Sequence, residues 1–348
     1  MKVLDVLRAP LWAAELATGA KSFRGNPIIG SPVLNERGLH ARRALLAERM
    51  ADWRRRRLSH LVDQEDAEAY ARDGFVMRRN VLPEAAFQAL RRAVEDNAFP
   101  AQEMWQGNAV TRFTPITRAI CAGHPEIGDF VSGQLFQGLL RYVASANADP
   151  IVFFHTVFAE PDRGPRDPQT VFHSDTFHAT AKAWFFLEDV SADGGPFTYV
   201  PGSHRMTPER LRWEYEQSLT AHEHKNVHHA LGSFRVSDEE LKELGFPAPV
   251  SMAVPANTLV VADTHGFHAR GVSSKATVRL GIYGSLRRNP FLPFAGLDPF
   301  SLPGLSGRQA EIHDAINSWK HKKGKTGQPP VGAVKPLDPP VRWRGEKA

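Results

Sequence analysis

Four residues of this chain combine types and spacings that suit metal binding: His173, Asp175, His268 and Arg279. Residues i and i+2 of an extended strand point to the same face, so His173 and Asp175 can reach one ion while Ser174 points away. A second histidine, His268, can complete a set of two imidazoles and one carboxylate. Such a set leaves coordination positions open and suits non-haem Fe(II) and O2 chemistry.

Arg279 follows His268 by eleven residues, a distance that one leg of a hairpin can span. Its guanidinium can therefore enter the same cavity as the three candidate ligands. A planar fork of N–H donors is the natural partner for the far carboxylate of a dicarboxylic acid. The apolar neighbours Val278 and Leu280 predict that this guanidinium is buried and paired.

The distal histidine is not fixed by the residues alone, because the chain holds 15 histidines. His265 and His268 are both candidates, at fourteen and eleven residues before Arg279. The alternative role for His265 is a turn or the wall of a pocket. His178 is expected to lie near the pocket or in solvent.

The composition indicates a globular protein of 348 residues with a single cysteine, Cys121. One cysteine excludes an intrachain disulfide and a cysteine-based zinc site. No apolar run is long enough to span a bilayer, and no secretory signal is recognised. A cytoplasmic location is expected, and nucleic acid is not expected as a partner.

Charge divides the chain into three parts. Residues 1–62 carry 12 Lys and Arg against 5 Asp and Glu, and residues 320–348 carry 8 against 2. We predict a basic helical extension over 1–62, an oxygenase domain over 63–319, and a basic Pro/Gly-rich tail over 320–348 that is disordered. The basic helix within 38–62 either contacts an anionic membrane at its surface or packs on its own domain.

Short apolar strands separated by Gly, Pro and Asp turns dominate from residue 151 onward. They are predicted at 151–158, 170–173, 182–187, 198–201, 250–254, 259–262 and 278–286. Such a series is typical of a sandwich or barrel. A polar, mostly helical insert at about 206–246 interrupts the strands and forms either a lid or a surface decoration.

Several ordered segments together resemble a known family. They are Tyr70–Val76, Asn80–Pro83, His173–Asp175, Gly194–Phe197, Val200–Arg205, Asp263–Gly271 and Arg279. In this order and spacing they resemble the phytanoyl-CoA dioxygenase (PhyH-like) family of Fe(II)/2-oxoglutarate-dependent oxygenases. The resemblance implies a mainly β fold with flanking helices, namely a double-stranded β-helix (jelly roll).

The resemblance also implies a role for each candidate residue. His173, Asp175 and His268 match the metal ligands, Arg279 matches the partner of the 2-oxoglutarate carboxylate, and Trp184 matches an aromatic residue that lines the cosubstrate pocket. This chain departs from the family at Arg270, where a small hydroxyl residue is common two positions after the distal histidine. A second contact to 2-oxoglutarate is therefore unassigned.

The implied reaction uses Fe(II), 2-oxoglutarate and O2, and hydroxylates an unactivated C–H bond of a small-molecule or lipid-like substrate while succinate is released. The carboxylate of Asp175 argues against a halogenase, because related halogenases carry a small residue there. Two alternatives stay open. One is a non-catalytic jelly-roll module that binds an anionic membrane or polymer through its basic ends. The other is a zinc hydrolase, for which no general base is evident.

Overall fold

The structure is a computed structural model that describes residues 3–296, 302, 304–325 and 327–343, with side chains described from residue 8 onward. The helices are α1 Val3–Glu15, α2 Pro32–Glu36, α3 Leu39–Arg57, α4 Gln64–Asp73, α5 Glu84–Glu95, α6 Arg118–Gly123, α7 Pro125–Ser132, α8 Gln134–Val143, α9 Pro208–Thr220, α10 Val227–Ala230, α11 Asp238–Glu243 and α12 Gln309–Lys322. The strands are β1 Phe75–Arg79, β2 Phe99–Gln106, β3 Ala109–Pro115, β4 Ile151–Ala159, β5 Ala181–Phe186, β6 Phe197–Tyr199, β7 Val250–Ser251, β8 Thr258–Asp263, β9 His268–Arg270, β10 Thr277–Leu286 and β11 Pro330–Val334.

Two antiparallel sheets form the body of the described chain. The large sheet has the order β1-β8-β5-β10-β4-β3-β2-β11, and the small sheet has the order β7-β6-β9. Residues of both sheets line one cavity, which lies between them. This arrangement confirms the predicted jelly roll with flanking helices.

Side chains of the central strand β10 point alternately to the core and to the cavity. Leu280, Ile282 and Leu286 are buried in the core that the large sheet shares with α5, α7 and α8. The alternate residues Arg279 and Tyr283 line the cavity and are not part of that core. Because successive side chains of a strand point to opposite faces, one strand can contribute to both the core and the site.

The segment that carries His173 is not the regular strand predicted for residues 170–173. Residues 168–170 form a 3-10 turn, and His173 makes only isolated bridges, to Arg235 and to His268. Successive main-chain N–H groups of this segment donate to three separate parts of the chain, so no continuous ladder forms. The segment lies between β9 and the residues that precede α11.

The prediction that residues 320–348 are disordered is wrong for β11. This strand pairs with β2 and extends the edge of the large sheet. The buried guanidinium of Arg112 holds the chain that follows, because it donates to the carbonyls of residues 335, 336, 338 and 339. Pairing at a sheet edge satisfies the N–H and C=O groups of the backbone whatever the side chains are. The Pro/Gly-rich composition therefore did not indicate this strand. Residues 326 and 344–348 of the predicted tail lie outside the described residues.

Arginines of the predicted basic extension, residues 1–62, form hydrogen bonds within the protein, and Arg55 also donates to the carbonyls of residues 142 and 143. The guanidinium of Arg43 donates to the carbonyls of residues 16, 18 and 20. Arg54, which is 2% exposed, donates to the carbonyls of Ser145 and Pro290. In the part of the chain that is described, no helix is both long and apolar enough to cross a membrane.

A second, smaller core joins the N-terminal extension to the predicted insert, which carries α9, α10 and α11. Phe23 packs there with Trp213, Phe234 and Phe267. These contacts place the loop after α1 and the loop before α11 side by side. Both loops border the segment that carries His173.

Candidate metal centre

His173 and His268 face each other across two reciprocal main-chain hydrogen bonds. The N–H of His173 donates to the carbonyl of His268, and the N–H of His268 donates to the carbonyl of His173, both at 3.0 Å. Their ring centroids lie 4.4 Å apart. The backbone therefore fixes the separation of the two imidazoles.

Each imidazole is oriented by a carbonyl of its own loop. Nδ1 of His173 lies 2.8 Å from the carbonyl oxygen of Val171, and Nδ1 of His268 lies 2.9 Å from that of Gly266. A carbonyl can only accept, so Nδ1 carries the proton in both rings. Nε2 is then a free lone pair, and this is the form in which histidine binds a metal.

Asp175 completes the set. Its Oδ1 lies 3.8 Å from Nε2 of His173 and 3.8 Å from Nε2 of His268, and the three candidate ligand atoms lie within 4.8 Å of one another. Its Oδ2 forms an ion pair with Nζ of Lys182 at 2.6 Å. One carboxylate oxygen is thus directed at the two imidazoles and the other is held by an ammonium group.

The electrostatics keep the three groups in the protonation states that a metal requires. Burial lowers the pKa of His173 well below its usual value, and neighbouring His268 lowers it further. Burial lowers the pKa of His268 to about 4, although Asp175 opposes the shift. Burial would raise the pKa of Asp175, but Lys182 and the two imidazoles outweigh it and hold that pKa well below its ordinary value. Two neutral imidazoles and an ionised carboxylate fit a divalent cation such as Fe(II).

Of the two candidates for the distal position, the structure brings His268 to the set. His265 is buried on the other side, where its side chain lines a separate cavity with Glu48 and Asp263. His178 is also buried outside the set, with its Nδ1 directed at the carbonyl of Ala179. The short turn between residues 265 and 268 thus directs the two histidines to different cavities.

Arg279 and Trp184 line the same cavity as the two ligand-type histidines, and its volume is 190 Å³. Burial lowers the pKa of Arg279 to about 9, and nearby Arg270 contributes to the shift. Within the described residues, the guanidinium of Arg279 has neither a hydrogen bond nor an ion pair, so the predicted pairing within the protein is not found. A half-buried, unpaired guanidinium in a cavity is a strong attractor for an anion.

Aromatic rings form the wall beside this guanidinium. Trp184 stacks on Phe197 with ring centroids 4.2 Å apart, and Tyr283 stacks on His155 at 5.1 Å. Burial, with Arg270 and Arg279 nearby, lowers the pKa of His155 well below its ordinary value, so this ring is a neutral hydrogen-bonding group in the cavity.

Arg270 is engaged, in contrast to Arg279. Its Nη1 lies 2.5 Å from Oδ2 of the buried Asp167, and its Nη2 lies 3.4 Å from the hydroxyl of Thr111. The nearby Ser273 hydroxyl instead faces Thr277 at 3.3 Å. At this position, two residues after His268, the chain therefore has an ion pair, whereas the phytanoyl-CoA dioxygenase family that it resembles often has a hydroxyl group.

The sequence did not single out Lys182 or Lys21, and both contact Asp175. Lys182 is a lone lysine between alanines of an otherwise apolar strand, and this anomaly could have revealed it. Nζ of Lys21 donates to the main-chain carbonyl of Asp175 from 154 positions away. No local pattern in the sequence indicates that contact.

Comparisons with known proteins were made for the whole chain. The family model for phytanoyl-CoA dioxygenase (PhyH) matches residues 70–256. Among solved structures, the non-heme alpha ketoglutarate dependent carbocyclase SnoK from nogalamycin biosynthesis is 20% identical, with a TM-score of 0.41, and the match covers 66% of this chain and 84% of that one. HygX from Streptomyces hygroscopicus, with nickel and 2-oxoglutarate bound, is 14% identical, with a TM-score of 0.39 and coverage of 71% and 94%. EctD from S. alaskensis, with bound Fe, is 13% identical, with a TM-score of 0.40 and coverage of 65% and 76%. The search of curated proteins found no match.

A jelly roll that brings two imidazoles and a carboxylate together above a cavity with an unpaired guanidinium defines an iron- and 2-oxoglutarate-dependent dioxygenase. Because the family model covers more than half of the chain, the chain belongs to the phytanoyl-CoA dioxygenase family. Fe(II) is the metal cofactor of this class, with 2-oxoglutarate and O2 as cosubstrates. The alternative of a non-catalytic module is set aside.

Proposed function

We propose that the protein hydroxylates an unactivated C–H bond of a small-molecule or lipid-like substrate. In the balanced reaction, substrate, 2-oxoglutarate and O2 give hydroxylated substrate, succinate and CO2. One oxygen atom enters the new alcohol and the other enters succinate. The bound iron supplies the oxidising chemistry, and the protein supplies the geometry.

In this proposal His173, Asp175 and His268 hold the iron, and Arg279 binds the far carboxylate of 2-oxoglutarate. Trp184 forms an apolar wall that excludes water from the cosubstrate. The observation that carries the proposal is the unpaired guanidinium of Arg279 in the cavity that both histidines line. A cavity that served only as packing would leave this charge without compensation.

The retained carboxylate of Asp175 favours hydroxylation over halogenation within this class. Its Oδ1 is directed at the imidazoles and its Oδ2 is fixed by Lys182. This carboxylate occupies the ligand position that a halide would need. The side chain therefore favours oxygen transfer to the substrate carbon.

The test is an absorption titration under anaerobic conditions. Addition of 2-oxoglutarate to the protein loaded with Fe(II) is expected to produce a weak visible charge-transfer band that saturates with the cosubstrate. Zn(II)-loaded protein is the matched control. It is expected to give no band, because Zn(II) does not transfer a d electron to 2-oxoglutarate at visible energies. If no band forms with Fe(II), the proposed function is refuted.

A second proposal concerns the membrane contact predicted for residues 1–62. The structure leaves Arg42, Arg49, Arg56 and Arg57 on the exposed side of α3, whereas Arg43 and Arg54 are turned inward. We therefore restrict the proposed contact with an anionic surface to these four arginines. A variant with all four replaced by glutamine is expected to lose co-sedimentation with anionic vesicles, and equal partitioning of the two proteins would exclude the contact.

A further inference from the structure

A cluster of four cations lies around Asp175, close to the two histidines. It consists of Lys21, Lys182, Arg235 and Arg287, here called the cationic cluster. Nζ of Lys21 donates to the main-chain carbonyl of Asp175, and Nζ of Lys182 lies 2.6 Å from its carboxylate. The charge of Asp175 also acts on both arginines. Of these four cations, only Lys182 forms an ion pair with the carboxylate of Asp175.

Lys182 already satisfies that carboxylate, so the other three cations need a different explanation. Within the described residues, Lys21, Arg235 and Arg287 form no ion pair with any carboxylate. Like charges held close together in a partly buried place repel one another and destabilise the folded state. An external anion would offset this repulsion.

The backbone around Lys21 is built to keep the residue in place. Arg43 donates to the carbonyls of residues 16, 18 and 20, and Arg287 donates to the carbonyl of Gly19 at 2.8 Å. On the opposite side, a Cβ atom at Gly232 would lie 2.1 Å from the carbonyl oxygen of Lys21, so the two loops are in close contact. Lys21 therefore has a fixed position beside Asp175.

Arg235 approaches from the other loop and keeps unused donors. Its backbone makes an isolated bridge to His173, which places it directly beside the candidate metal ligands. Its Nη1 donates to the carbonyl and hydroxyl oxygens of Ser233, at 2.8 and 2.7 Å. Its Nε is buried and has no hydrogen-bond partner in the described part of the chain. A guanidinium with an unsatisfied buried N–H is poised to bind an oxyanion.

Neither the metal nor 2-oxoglutarate removes this excess of charge. In the proposed function the carboxylate of Asp175 is committed to a divalent cation, which adds positive charge. The far carboxylate of 2-oxoglutarate is assigned to Arg279, which lines the cavity shared by the two histidines and Lys182, whereas Lys21, Arg235 and Arg287 do not line it. An anionic group on the substrate would compensate the charge of the cluster.

We propose that the substrate carries an oxyanion, a carboxylate or a phosphate, which Lys21, Arg235 and Arg287 bind beside the metal. This inference rests on the proposed function and names the substrate class for the same site. Lys21 and Arg287 lie outside the residues that the family model matches, and Arg235 belongs to the helical insert. The N-terminal extension and the insert together then supply the substrate specificity.

The experiment uses the full chain loaded with Mn(II) and saturated with 2-oxoglutarate, with inorganic phosphate as the probe. Paramagnetic Mn(II) broadens the 31P resonance of phosphate bound close to it, and Zn(II)-loaded protein gives the diamagnetic baseline. We expect saturable broadening in the wild type and a loss of about ten-fold in phosphate affinity in Arg235→Gln and in Arg287→Gln. Lys242→Gln, which removes an exposed cation of the same insert, is the matched control and keeps wild-type affinity.

A parallel arm with 13C-labelled acetate distinguishes the two oxyanions, since preferential broadening of one of them assigns the group. Broadening that is absent in the wild type, or that is unchanged in both arginine variants, overturns the anion site. The charge-transfer band of the Fe(II) protein with 2-oxoglutarate is recorded for the same proteins. If this band forms while phosphate fails to bind at the cluster, the proposed function stands and only the substrate class fails.

Discussion

Asp175→Ala is expected to reduce substrate-dependent succinate formation by more than about 100-fold. Asp175 supplies the one anionic group of the candidate ligand set, so its loss leaves two neutral imidazoles to hold Fe(II). The substitution also leaves the ammonium group of Lys182 without its partner at 2.6 Å. A free, half-buried cation beside the site then repels the incoming metal. Iron content and succinate formation are expected to fall together.

The matched control for this substitution is Asp193→Ala. That carboxylate also pairs with a lysine, Lys275, at 2.8 Å, but both side chains are exposed. Its loss is expected to leave iron content and turnover unchanged, because exposed ion pairs contribute little. A thermal melt of each variant establishes that it is folded. Undiminished turnover in folded Asp175→Ala would refute the ligand assignment.

Arg279→Ala is expected to raise the 2-oxoglutarate concentration for half-saturation by about two orders of magnitude. The guanidinium is half-buried and unpaired in the described chain, so the cosubstrate would gain the whole of its charge-assisted hydrogen bonding. The maximal rate at saturating 2-oxoglutarate is expected to fall much less, since Arg279 binds the end of the cosubstrate that does not react. The titration is followed by the charge-transfer band and by succinate formation.

Two further variants separate the fork geometry of the guanidinium from its charge. Arg279→Lys keeps a cation but loses the planar pair of donors, so an intermediate affinity is expected. Arg205→Ala removes an exposed arginine and serves as the neutral control. An unchanged affinity for 2-oxoglutarate in Arg279→Ala would mean that another cation of the cavity, such as Arg270, binds the carboxylate.

The sequence predicted most of the jelly roll and the convergence of the four candidate residues. Strands β4, β5, β8 and β10 were predicted to within a residue or two, because their alternate residues are strongly apolar and their ends carry turn residues. The meeting of His173, Asp175 and His268 followed from ordered motifs more than 90 residues apart. Their roles as metal ligands stay predictions until the variants are measured.

The hairpin of β2 and β3 and the edge strand β11 were not predicted, for a common physical reason. β2 includes Pro100, Gln102 and Glu103, and β3 includes Arg112, so neither strand has a clean apolar period. Their polar side chains are satisfied only by tertiary partners, such as the pair of Arg112 with Glu103 at 2.6 Å. A local pattern cannot indicate a partner that the fold brings from elsewhere.

The cationic cluster was not predicted from the sequence, for the same reason. Lys21, Arg235 and Arg287 come from three distant segments, and the packing of two loops brings them to Asp175. The sequence indicates excess positive charge over residues 1–62, and it leaves open whether the basic helix contacts an anionic membrane or packs on its own domain. The structure shows that part of this charge is used to fix the loop that carries Lys21, through the three carbonyls that Arg43 binds.

The reciprocal main-chain bonds between His173 and His268 bear on which metal the protein acquires. Because the two imidazoles are held in place before any ion arrives, little conformational entropy is lost on binding, and several divalent ions are accommodated. Affinity for such nitrogen donors rises along the Irving–Williams series, so Ni(II) and Cu(II) bind more tightly than Fe(II). The iron form is therefore expected to depend on which ion is supplied when the protein is loaded, and the stronger binders are expected to inhibit it.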